Sequence, residues 1–504
     1  METLRKRYKR IERNISQTQS EDVFQLLMNA LSECFDPHTN YFSPKSFDDF
    51  KIRMSQSLEG IGARLMTENE YTKVVEIVPG GPADKSNDLH PNDRIIGVGQ
   101  GVDGEIVDVI GWRIDDVVQL IRGKKSTIVR LVVLRAGDPE DAAPDTVVLV
   151  RDKIKLEDQS AKGDTLHIRH EGREYVFGVI DIPSFYADFD AIRAGDPDYK
   201  STTRDVQKII SDFRRQGRID GLIIDLRGNG GGFLSEAIEL TGLFIDRGPV
   251  VQVRETSGKV GVEWDNRPGV FYDGPLAVLV DRVSASASEI FAAAIQDYRR
   301  GIIIGSQTFG KGTVQRPIDL NRIPLLRRTG QRMGQVKITT AKFYRISGRS
   351  TQNVGVIPDL AFPSRYDYMD IGENTRPNAL SYDAIDSVRH EVYGQLRRII
   401  PVLIRRHQAR LEKDPRYQEY LEELKEYQKA RENGRISLNE AERRREREKS
   451  RQTEKSAAVN RPAAASDSAG SARSDSFHQR RLKDLLVQES GHVLADYLTL
   501  IGQN

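Results

Sequence analysis

The sequence is poor in the features that would assign it to several common protein classes. Its single cysteine, Cys34, excludes a disulfide bond within the 504-residue chain. No apolar run approaches the ~18 residues of a membrane-spanning helix. Lys and Arg number 76 against 74 Asp and Glu, so the net charge gives no argument for a nucleic-acid partner. The length and the 38% hydrophobic content allow about three or four domains with sizeable cores.

Histidine, the usual general base beside a nucleophile, is also scarce. The eight histidines are His38, His90, His167, His170, His390, His407, His478 and His492. None lies in residues 171–389, which contain the most distinctive stretch of the chain, residues 280–315. A distant histidine could still fold into this region, so the scarcity argues against a histidine base without proving its absence.

The distinctive stretch places serines at the predicted start of a helix. An apolar run, Leu276–Val280, predicts a buried strand before it. Three serines then alternate with alanines: Ser284, Ser286 and Ser288. Residues 289–298 are rich in alanine and are predicted to be helical. A hydroxyl at the start of a helix lies near free backbone N–H groups, which stabilise the negative charge that a nucleophile generates.

Lys311 is the candidate base for such a serine. It follows a second apolar strand, predicted over residues 302–304, and lies between Gly310 and Gly312, with Phe309 and Val314 close by. A lysine accepts a proton only when it is neutral, so burial must lower its pKa by several units. The glycines allow close approach of the backbone, and the apolar neighbours exclude water.

The same lysine belongs to a pattern that suggests a different function. Residues 305–311 read G-S-Q-T-F-G-K, which resembles a phosphate-binding loop. Such a loop needs Ser or Thr after the lysine to bind Mg²⁺, and a helix must follow. This chain has Gly312, and the β-like residues 313–315 are soon followed by Pro317. The sequence therefore disfavours nucleotide binding.

The two motifs S-A-S-A-S-E-I-F-A-A-A and F-G-K-G-T-V-Q together resemble the tail-specific protease (C-terminal processing peptidase) family of Ser-Lys peptidases. The resemblance implies that Ser286 is the nucleophile and that Lys311 is the general base. It also implies that Gln315 orients the lysine and that Asp297 occupies the position of a functionally important aspartate. Ser284 and Ser288 are interpreted as helix-capping and packing residues.

A glycine-rich loop follows the predicted buried strand at residues 221–226. Its sequence, D-L-R-G-N-G-G-G over residues 225–232, lies between a strand and a helix, a geometry that phosphate sites share. The order of residues is similar to that of the same peptidase family. The resemblance implies that the N–H groups of Gly232 and Ala287 form the oxyanion hole, while Asp225 and Arg227 hold the loop.

Residues 49–150 resemble a PDZ domain with a G-I-G version of the loop that binds a peptide carboxylate. PDZ domains bind a C-terminal carboxylate with backbone N–H groups and pair the peptide as an added strand. The expected peptide-binding residues are Gly60, Ile61, Gly62, Ala63, Val117, Val118 and Ile121. The alternative is a purely structural β-domain.

Two further segments are interpreted as structural. Residues 36–44 form a turn with two prolines that resembles a segment before the PDZ domain of this family, and a metal site at Asp36 and His38 is the lesser alternative. The basic run at 443–455 predicts a solvated helix face, with contact to RNA or an anionic membrane as the alternative. Residues 456–476, rich in Ala, Ser and Arg, predict disorder.

The chain is therefore predicted to be an α/β protein, with a crotonase/ClpP-like α/β protease core, an inserted β-rich PDZ domain and flanking helical segments. The predicted domains are 1–48 (helical), 49–150 (PDZ), 151–365 (Ser-Lys protease core) and 366–504 (C-terminal helical extension with a disordered linker at about 445–478). Family members are typically exported, yet residues 1–6 are charged and form no secretory signal. Either the true start is missing or this member departs from the pattern, and the greater length of known tail-specific proteases at this end favours a missing start.

The resemblance implies a serine endopeptidase that needs no metal or cofactor. It would recognise the nonpolar C-terminal tails of protein substrates through its PDZ domain and degrade or process them in the periplasm. It would bind no nucleic acid. A lipoprotein adaptor is an expected partner, and the protein is expected to associate peripherally with the inner membrane. The alternative, of a different class, is a catalytically inactive PDZ-containing scaffold of the same fold that only binds peptides. Covalent labelling by a serine-reactive phosphonate would separate the two.

Overall fold

The computed structural model describes residues 1–139, 141–156, 159–394, 396–433, 437–445, 447–448 and 484–502. The predicted disordered linker at about 445–478 lies outside the described residues, apart from 445, 447 and 448. The described chain forms two compact units. The first comprises residues 1–27 and 49–156, and the second comprises residues 28–48, 159–448 and 484–502. None of the described helices is long and apolar enough to cross a membrane.

The chain begins with α1 (Glu2–Ser16), α2 (Ser20–Glu33), β1 (Asn40–Phe42) and α3 (Pro44–Ser55). Most of the first unit follows, with β2 (Ser57–Gly60), β3 (Ala63–Glu68), β4 (Tyr71–Ile77), α4 (Pro82–Ser86), β5 (Arg94–Gln100), β6 (Ile106–Asp108), α5 (Ile114–Ile121), β7 (Ile128–Leu134), β8 (Asp145–Val150) and β9 (Asp152–Lys155).

The strands of the first unit form an antiparallel sheet in the order β3-β4-β5-β7-β8, with β6 paired to β5 and β2 paired to β9. Alternate residues along β5 and β7, such as Val98, Val129 and Leu131, are buried in one core, as expected where one face of a sheet is covered. In the part of the chain that the structure describes, β3 pairs with β4 alone and is therefore an edge strand.

The second unit continues with β10 (Lys162–His170), β11 (Arg173–Asp181), α6 (Phe189–Arg193), α7 (Thr202–Gln216), β12 (Gly221–Asp225), α8 (Leu234–Thr241), β13 (Gly248–Glu255), β14 (Val260–Asp265), β15 (Leu276–Val280), α9 (Ala287–Asp297), β16 (Ile302–Gly305), β17 (Thr313–Asp319), α10 (Pro324–Arg327), β18 (Gln335–Tyr344), β19 (Leu360–Ala361), α11 (Leu396–Leu411), α12 (Pro415–Asn433) and α13 (Leu485–Gly502). The predicted helix after the serines thus begins two residues earlier than expected and includes Ala287.

A six-stranded sheet in the order β10-β11-β12-β15-β16-β19 forms the centre of the second unit. Every pair is parallel except β10 with β11. Side chains of β12 alternate between two cores: Leu222 and Ile224 pack with α7, α8 and α9, and Ile223 packs with α11 and α13. Both faces of the sheet are covered, which explains the continuous apolar runs of these strands. The predicted α/β fold is confirmed.

A second, antiparallel sheet lies in the same unit. Its order is β1-β18-β13-β14, and β17 also pairs with β18. The short strand β1 pairs Asn40 with Lys337 and Phe42 with Gln335, which fixes the turn at residues 36–44 to the long strand β18. That turn is therefore part of the second unit, whereas α5 and its sheet belong to the first.

The last described helix, α13, completes the core of the second unit. Val487, Val493 and Leu494 are fully buried against the central sheet. Two buried carboxylates anchor the helix: Asp496 lies 3.2 Å from His170 of β10, and Glu489 accepts from Arg410 of α11 at 2.7 Å. Because a buried carboxylate is costly unless it is paired, these contacts help to fix how α13 docks on the sheet.

Candidate active site

Three loops meet at one edge of the central sheet. They follow the carboxyl ends of the adjacent parallel strands β12, β15 and β16. We call them the glycine-rich loop (residues 226–232), the serine loop (which contains the serines 284–288) and the lysine loop (which contains Lys311). In open α/β sheets, sites form at this edge because the carboxyl ends of parallel strands point the same way. The fold therefore brings together the three motifs that the sequence analysis selected.

Ser286 caps the N-terminus of α9 in a strained backbone conformation. Its φ of 57° and ψ of −112° lie in a region that residues other than glycine rarely adopt. Such strain persists only where the surroundings enforce it, and it clusters at functional sites. Ser284 and Ser288 are buried, whereas Ser286 is partly exposed. Among the three serines, Ser286 is thus the one that a substrate can reach.

The other two serines hold the loops in place. Ser284 Oγ donates to Leu226 O at 2.8 Å, and Ser288 Oγ donates to Asn229 O at 2.9 Å. The Ala285 N–H also donates to Asn229 O, at 3.0 Å. These bonds attach the serine loop to the glycine-rich loop, which agrees with the packing role expected for Ser284 and Ser288.

The glycine-rich loop lies directly against Ser286. A Cβ atom on Gly231 would lie 2.9 Å from Ser286 Cβ, and one on Gly232 would lie 2.0 Å from Phe185 O. Both glycines have positive φ, 98° and 154°, so a side chain is excluded on two grounds. Among the described residues, the N–H groups of Gly232 and Ala287 have no hydrogen-bond partner. Two free donors beside a serine hydroxyl are what an oxyanion hole requires.

Glu289 is a buried carboxylate that joins the serine loop to the lysine loop. Its Oε2 accepts from the Ser286 N–H at 2.7 Å and from the Lys311 N–H at 3.0 Å. Its Oε1 accepts from Thr308 Oγ1 at 2.6 Å and from the Gly310 N–H at 2.7 Å. Burial raises the pKa of Glu289 to about 7, and these four bonds oppose that shift. One side chain therefore fixes the spacing of the two loops.

Lys311 has the electrostatic environment that a general base needs. Burial lowers its pKa to about 8, and the nearby ammonium group of Lys337 acts in the same direction. The carboxylates of Glu373, Glu289 and Asp36 act in the opposite direction. Among the described residues, no hydrogen bond joins the side chains of Ser286 and Lys311. A usable fraction of the amine is neutral near neutral pH, roughly one part in ten at pH 7.

Gln315 is the third residue of β17, the strand that follows the lysine loop. Its Nε2 donates to Thr313 Oγ1 at 2.8 Å and to Thr339 Oγ1 at 3.1 Å. Thr339 in turn donates to Asp36 Oδ1 at 2.9 Å. The amide nitrogen of Gln315 is thus held by threonines, and a role in orienting Lys311 stays a prediction.

Asp297 lies at the opposite end of α9 from Ser286, roughly 15 Å along the helix. Its Oδ1 pairs with Arg345 Nη2 at 2.5 Å, and its Oδ2 accepts from Arg345 Nε at 3.1 Å. The structure does not bring Asp297 to Ser286 and Lys311. This bidentate pair attaches α9 to Arg345 at the end of β18, so the contacts favour a structural role, and a functional role of Asp297 stays a prediction.

The residues predicted to bind peptide divide into two groups. Among the described residues, the N–H groups of Ile61 and Gly62 have no hydrogen-bond partner, while Gly60 ends β2 and Ala63 starts the edge strand β3 beside α5. These features suit capture of a carboxylate and addition of a strand.

Three side chains of α5 are predicted to line the groove: Val117, Val118 and Ile121. Val117 and Ile121 are 0% and 3% exposed and pack inside the first unit, whereas Val118 is half-buried. Val117 and Ile121 therefore support the core, and the groove assignment stays a prediction.

Comparison with known proteins places each part of the chain. Residues 176–362 match the model of peptidase family S41, and residues 49–134 match the PDZ domain. Residues 1–45 match the N-terminal domain of tail specific protease, and residues 366–499 match its C-terminal domain. The carboxy-terminal-processing protease of Bartonella bacilliformis is 30% identical over 359 residues, which cover 70% of this chain and 73% of that protein. The chain belongs to the S41 peptidase family.

Another relative of this S41 peptidase is the tail-specific protease of Haemophilus influenzae, 43% identical over 440 residues, which cover 86% of this chain and 60% of that protein. The chain thus spans about 60% of the length of that relative. Similar solved structures include a photosystem II D1 C-terminal processing protease (25% identity, TM-score 0.37, 68% of this chain and 82% of that chain). The PDZ domain of a carboxy-terminal protease from Vibrio cholerae, solved in complex with peptide, is also similar (54% identity, TM-score 0.19, 20% of this chain and 99% of that chain).

One group of side chains in the described part of this S41 peptidase is compact enough to hold a metal ion: His170, Glu171 and Asp496. Asp496 Oδ1 already pairs with Arg406 Nη1 at 2.7 Å, and Asp496 Oδ2 pairs with Arg410. Two guanidinium groups on one carboxylate disfavour a further cation there. The group anchors α13 and lies outside the loops of the candidate site.

Sequence reasoning missed two residues beside the lysine loop. His38 and Glu373 form a pair at 2.7 Å although 335 positions separate them. The turn at residues 36–44 was interpreted as structural, and Glu373 follows the protease core in a stretch without a motif. The sequence offered one signal: because no histidine lies between residues 171 and 389, any histidine near this region has to come from a distant segment of the chain.

Replacing Glu289 with glutamine should lower kcat roughly 10- to 100-fold, because displacement of catalytic groups by about 1 Å costs as much. Each oxygen of Glu289 accepts two donors, so the glutamine NH₂ group would face two donors instead of an acceptor. The measurement is kcat at saturating protein substrate, with Glu263→Gln on the exposed strand β14 as the matched control. An unchanged kcat would show that the spacing of the two loops is fixed by other residues.

Proposed function

We propose that this S41 peptidase is a serine endopeptidase with a Ser286–Lys311 dyad that selects protein substrates by their nonpolar C-terminal tails. The observation that carries the proposal is the convergence of three elements at one sheet edge: a strained, reachable serine at a helix start, two free backbone donors and a lysine with a lowered pKa. Membership of the S41 family supports the same conclusion.

The chemistry follows from these groups. Ser286 Oγ attacks the peptide carbonyl carbon, and neutral Lys311 takes the hydroxyl proton. The N–H groups of Gly232 and Ala287 bind the oxyanion of the tetrahedral intermediate, and each donor is worth about 3–4 kcal/mol of barrier. The Lys311 ammonium then gives its proton to the leaving amine, and an ester remains on Ser286. Water, deprotonated by Lys311, hydrolyses this ester and restores the serine.

For the proposed dyad to act, the Lys311 amine and the Ser286 hydroxyl must come closer together. A base must come within about 3 Å of the proton that it takes, and no hydrogen bond joins Ser286 to Lys311 among the described residues. We therefore propose that substrate binding brings the lysine amine to the serine hydroxyl. A protease that acts on unfolded proteins gains specificity when binding of the correct substrate assembles the site.

The PDZ domain supplies the recognition step of the proposal. The free N–H groups of Ile61 and Gly62 donate hydrogen bonds to the terminal carboxylate, and the peptide backbone pairs with the open edge of β3. Following the family resemblance, we propose that the reaction takes place in the periplasm. We also propose a lipoprotein adaptor as a further partner and peripheral association of the protein with the inner membrane.

Amidation of a substrate's C-terminus should raise KM and also lower kcat, because the tail both holds the substrate and drives assembly of the dyad. The test compares an unfolded protein with an apolar C-terminal tail in its acid and amide forms, with products identified by mass spectrometry. The same protein with an acetylated N-terminus is the control, since it carries a comparable change at the other end.

A rise in KM with an unchanged kcat would mean that the PDZ domain only concentrates substrate. Equal cleavage of both forms would refute tail recognition altogether. Substitutions at Ile61 are unsuitable for this test, because that side chain is 3% exposed and its loss would disturb the core of the first unit.

A further inference from the structure

Glu373 is a fully buried carboxylate beside the lysine loop. Its side chain has no exposed surface, and its Oε1 accepts from Gln352 Nε2 at 2.9 Å. Its Oε2 lies 2.7 Å from His38 Nε2. A buried carboxylate with a single neutral donor would be costly, so the histidine matters to its placement.

Two routes connect Glu373 to the backbone around Lys311. The Glu373 N–H donates to Phe309 O at 2.9 Å. Gln352, which binds the Glu373 carboxylate with its nitrogen, accepts from the Gly312 N–H with its oxygen at 2.8 Å. Both routes therefore attach Glu373 to the backbone on either side of Lys311. A change in the partners of the Glu373 carboxylate would alter the surroundings of Lys311.

His38 is itself held rigidly. Its backbone N–H donates to Asp36 Oδ1 at 2.9 Å, and the same carboxylate accepts from the hydroxyls of Thr39 and Thr339. Strand β1 follows at once and pairs with β18. The imidazole thus reaches Glu373 from a turn fixed to the second sheet, which gives it a defined position without a helix or strand of its own.

The charged groups that surround Lys311 are Lys337 on β18, Glu289 on α9, Asp36 in the turn and Glu373. Glu289 accepts four hydrogen bonds, and Asp36 accepts bonds from three residues, so donors occupy both carboxylates. Glu373 has Gln352 and His38. Of the three carboxylates, Glu373 has the largest opposing effect on the pKa of Lys311, so its charge acts on the Lys311 amine across the lysine loop.

We propose that His38 is a positioning residue for the peptidase reaction: it holds the Glu373 carboxylate at 2.7 Å and so prevents that carboxylate from pairing with the Lys311 amine. A lysine paired with a buried carboxylate keeps its proton and cannot act as a base. The inference rests on the proposed roles of Ser286 and Lys311, and it assigns His38 no contact with substrate.

The test measures kcat/KM against pH, from about pH 6 to 10, for His38→Ala, Glu373→Gln and the double variant. In the wild type the rate should rise around the pKa of Lys311, about 8. His38→Ala, which leaves no side-chain donor at this position, should move this midpoint upward by about one pH unit, since an opposite charge nearby favours the charged lysine. The rate at pH 7 should then fall roughly tenfold and recover at high pH.

The double variant separates positioning from a merely structural role. With the Glu373 charge also removed, nothing pairs with the lysine, and the midpoint should return to the wild-type value. Glu373→Gln alone should leave the midpoint at or below that value, which keeps the inference testable if His38→Ala does not fold. The matched control is His167→Ala, which removes an exposed histidine 3.3 Å from Glu174 in the same unit and should shift nothing.

Three results would overturn the inference. A loss in His38→Ala that is equal at every pH would indicate structural damage. A double variant that keeps the raised midpoint would show that Glu373 is not the cause. A His38→Ala variant as inactive as Ser286→Ala at every pH would make the histidine part of the chemistry. Failure of the proposed function looks different, because wild-type turnover would then survive loss of Ser286 or Lys311.

Discussion

Ser286→Ala should lower kcat by roughly 10⁴-fold or more, which is the effect of removing a nucleophile in other serine peptidases. The alanine keeps the backbone and removes only the Oγ atom. The N–H groups of Gly232 and Ala287, the proposed oxyanion donors, stay in place, so some acceleration over water should survive. Folding and tail binding should also survive, because Ser286 is partly exposed and lies outside the buried core.

Steady-state cleavage of an unfolded protein measures this effect. Ser211→Ala is the control, since its hydroxyl bonds Gln207 O of its own helix α7 at 2.9 Å, away from the loops of the site, and turnover should continue without it. A serine-reactive phosphonate should add its mass at Ser286 in the wild type and leave the variant unlabelled. Near-normal cleavage by a clean Ser286→Ala preparation would refute the assignment.

Lys311→Arg should be as inactive as Lys311→Ala. A guanidinium group stays protonated at every working pH and cannot accept the serine proton, although it preserves the charge and much of the length of the side chain. A drop of several orders of magnitude is expected for both variants, measured as kcat with the same substrate. Lys342→Arg is the matched control, because Lys342 lies on β18 and pairs with Asp383 at 3.2 Å.

The arginine variant discriminates between two roles of the lysine. If Lys311 acted through its positive charge, arginine would retain substantial turnover, and another base would have to be sought. The pH profile gives an independent check on the wild type. A base must be neutral, so the rate should increase as pH rises through about 8 and stay high above it.

The strands of the central sheet could be predicted from the sequence, because strands that are buried on both faces have continuously apolar sequences. The runs at 221–226, 276–280 and 302–304 are continuously apolar, and short apolar runs beside glycine turns indicate such strands. The loops after these strands carry the motifs, so the position of Ser286 and Lys311 followed from the topology. The choice of Ser286 among three serines needed the family resemblance, and the structure adds a physical reason in its exposure and its strained φ.

The contacts around the lysine could not be predicted, because they join residues that are distant in the chain. His38 reaches Glu373 across 335 positions, and Thr339 reaches Asp36 across 303. No local pattern encodes such a pairing. The burial of Val117 and Ile121 could not be predicted for a related reason: α5 has apolar residues on adjacent faces, and only the packed structure shows which face is buried.

The docking of α13 on the central sheet has a consequence for how the protein is made. Residues 484–502 cover one face of the strands whose carboxyl ends carry Ser286 and Lys311, and Asp484 pairs with Arg227 of the glycine-rich loop at 2.9 Å. A ribosome releases these residues long after residues 284–311. Until then this face of the sheet lacks the cover of α13, and Arg227 lacks the Asp484 carboxylate. The edge that carries Ser286 and Lys311 is therefore completed only after residues 484–502 have been made.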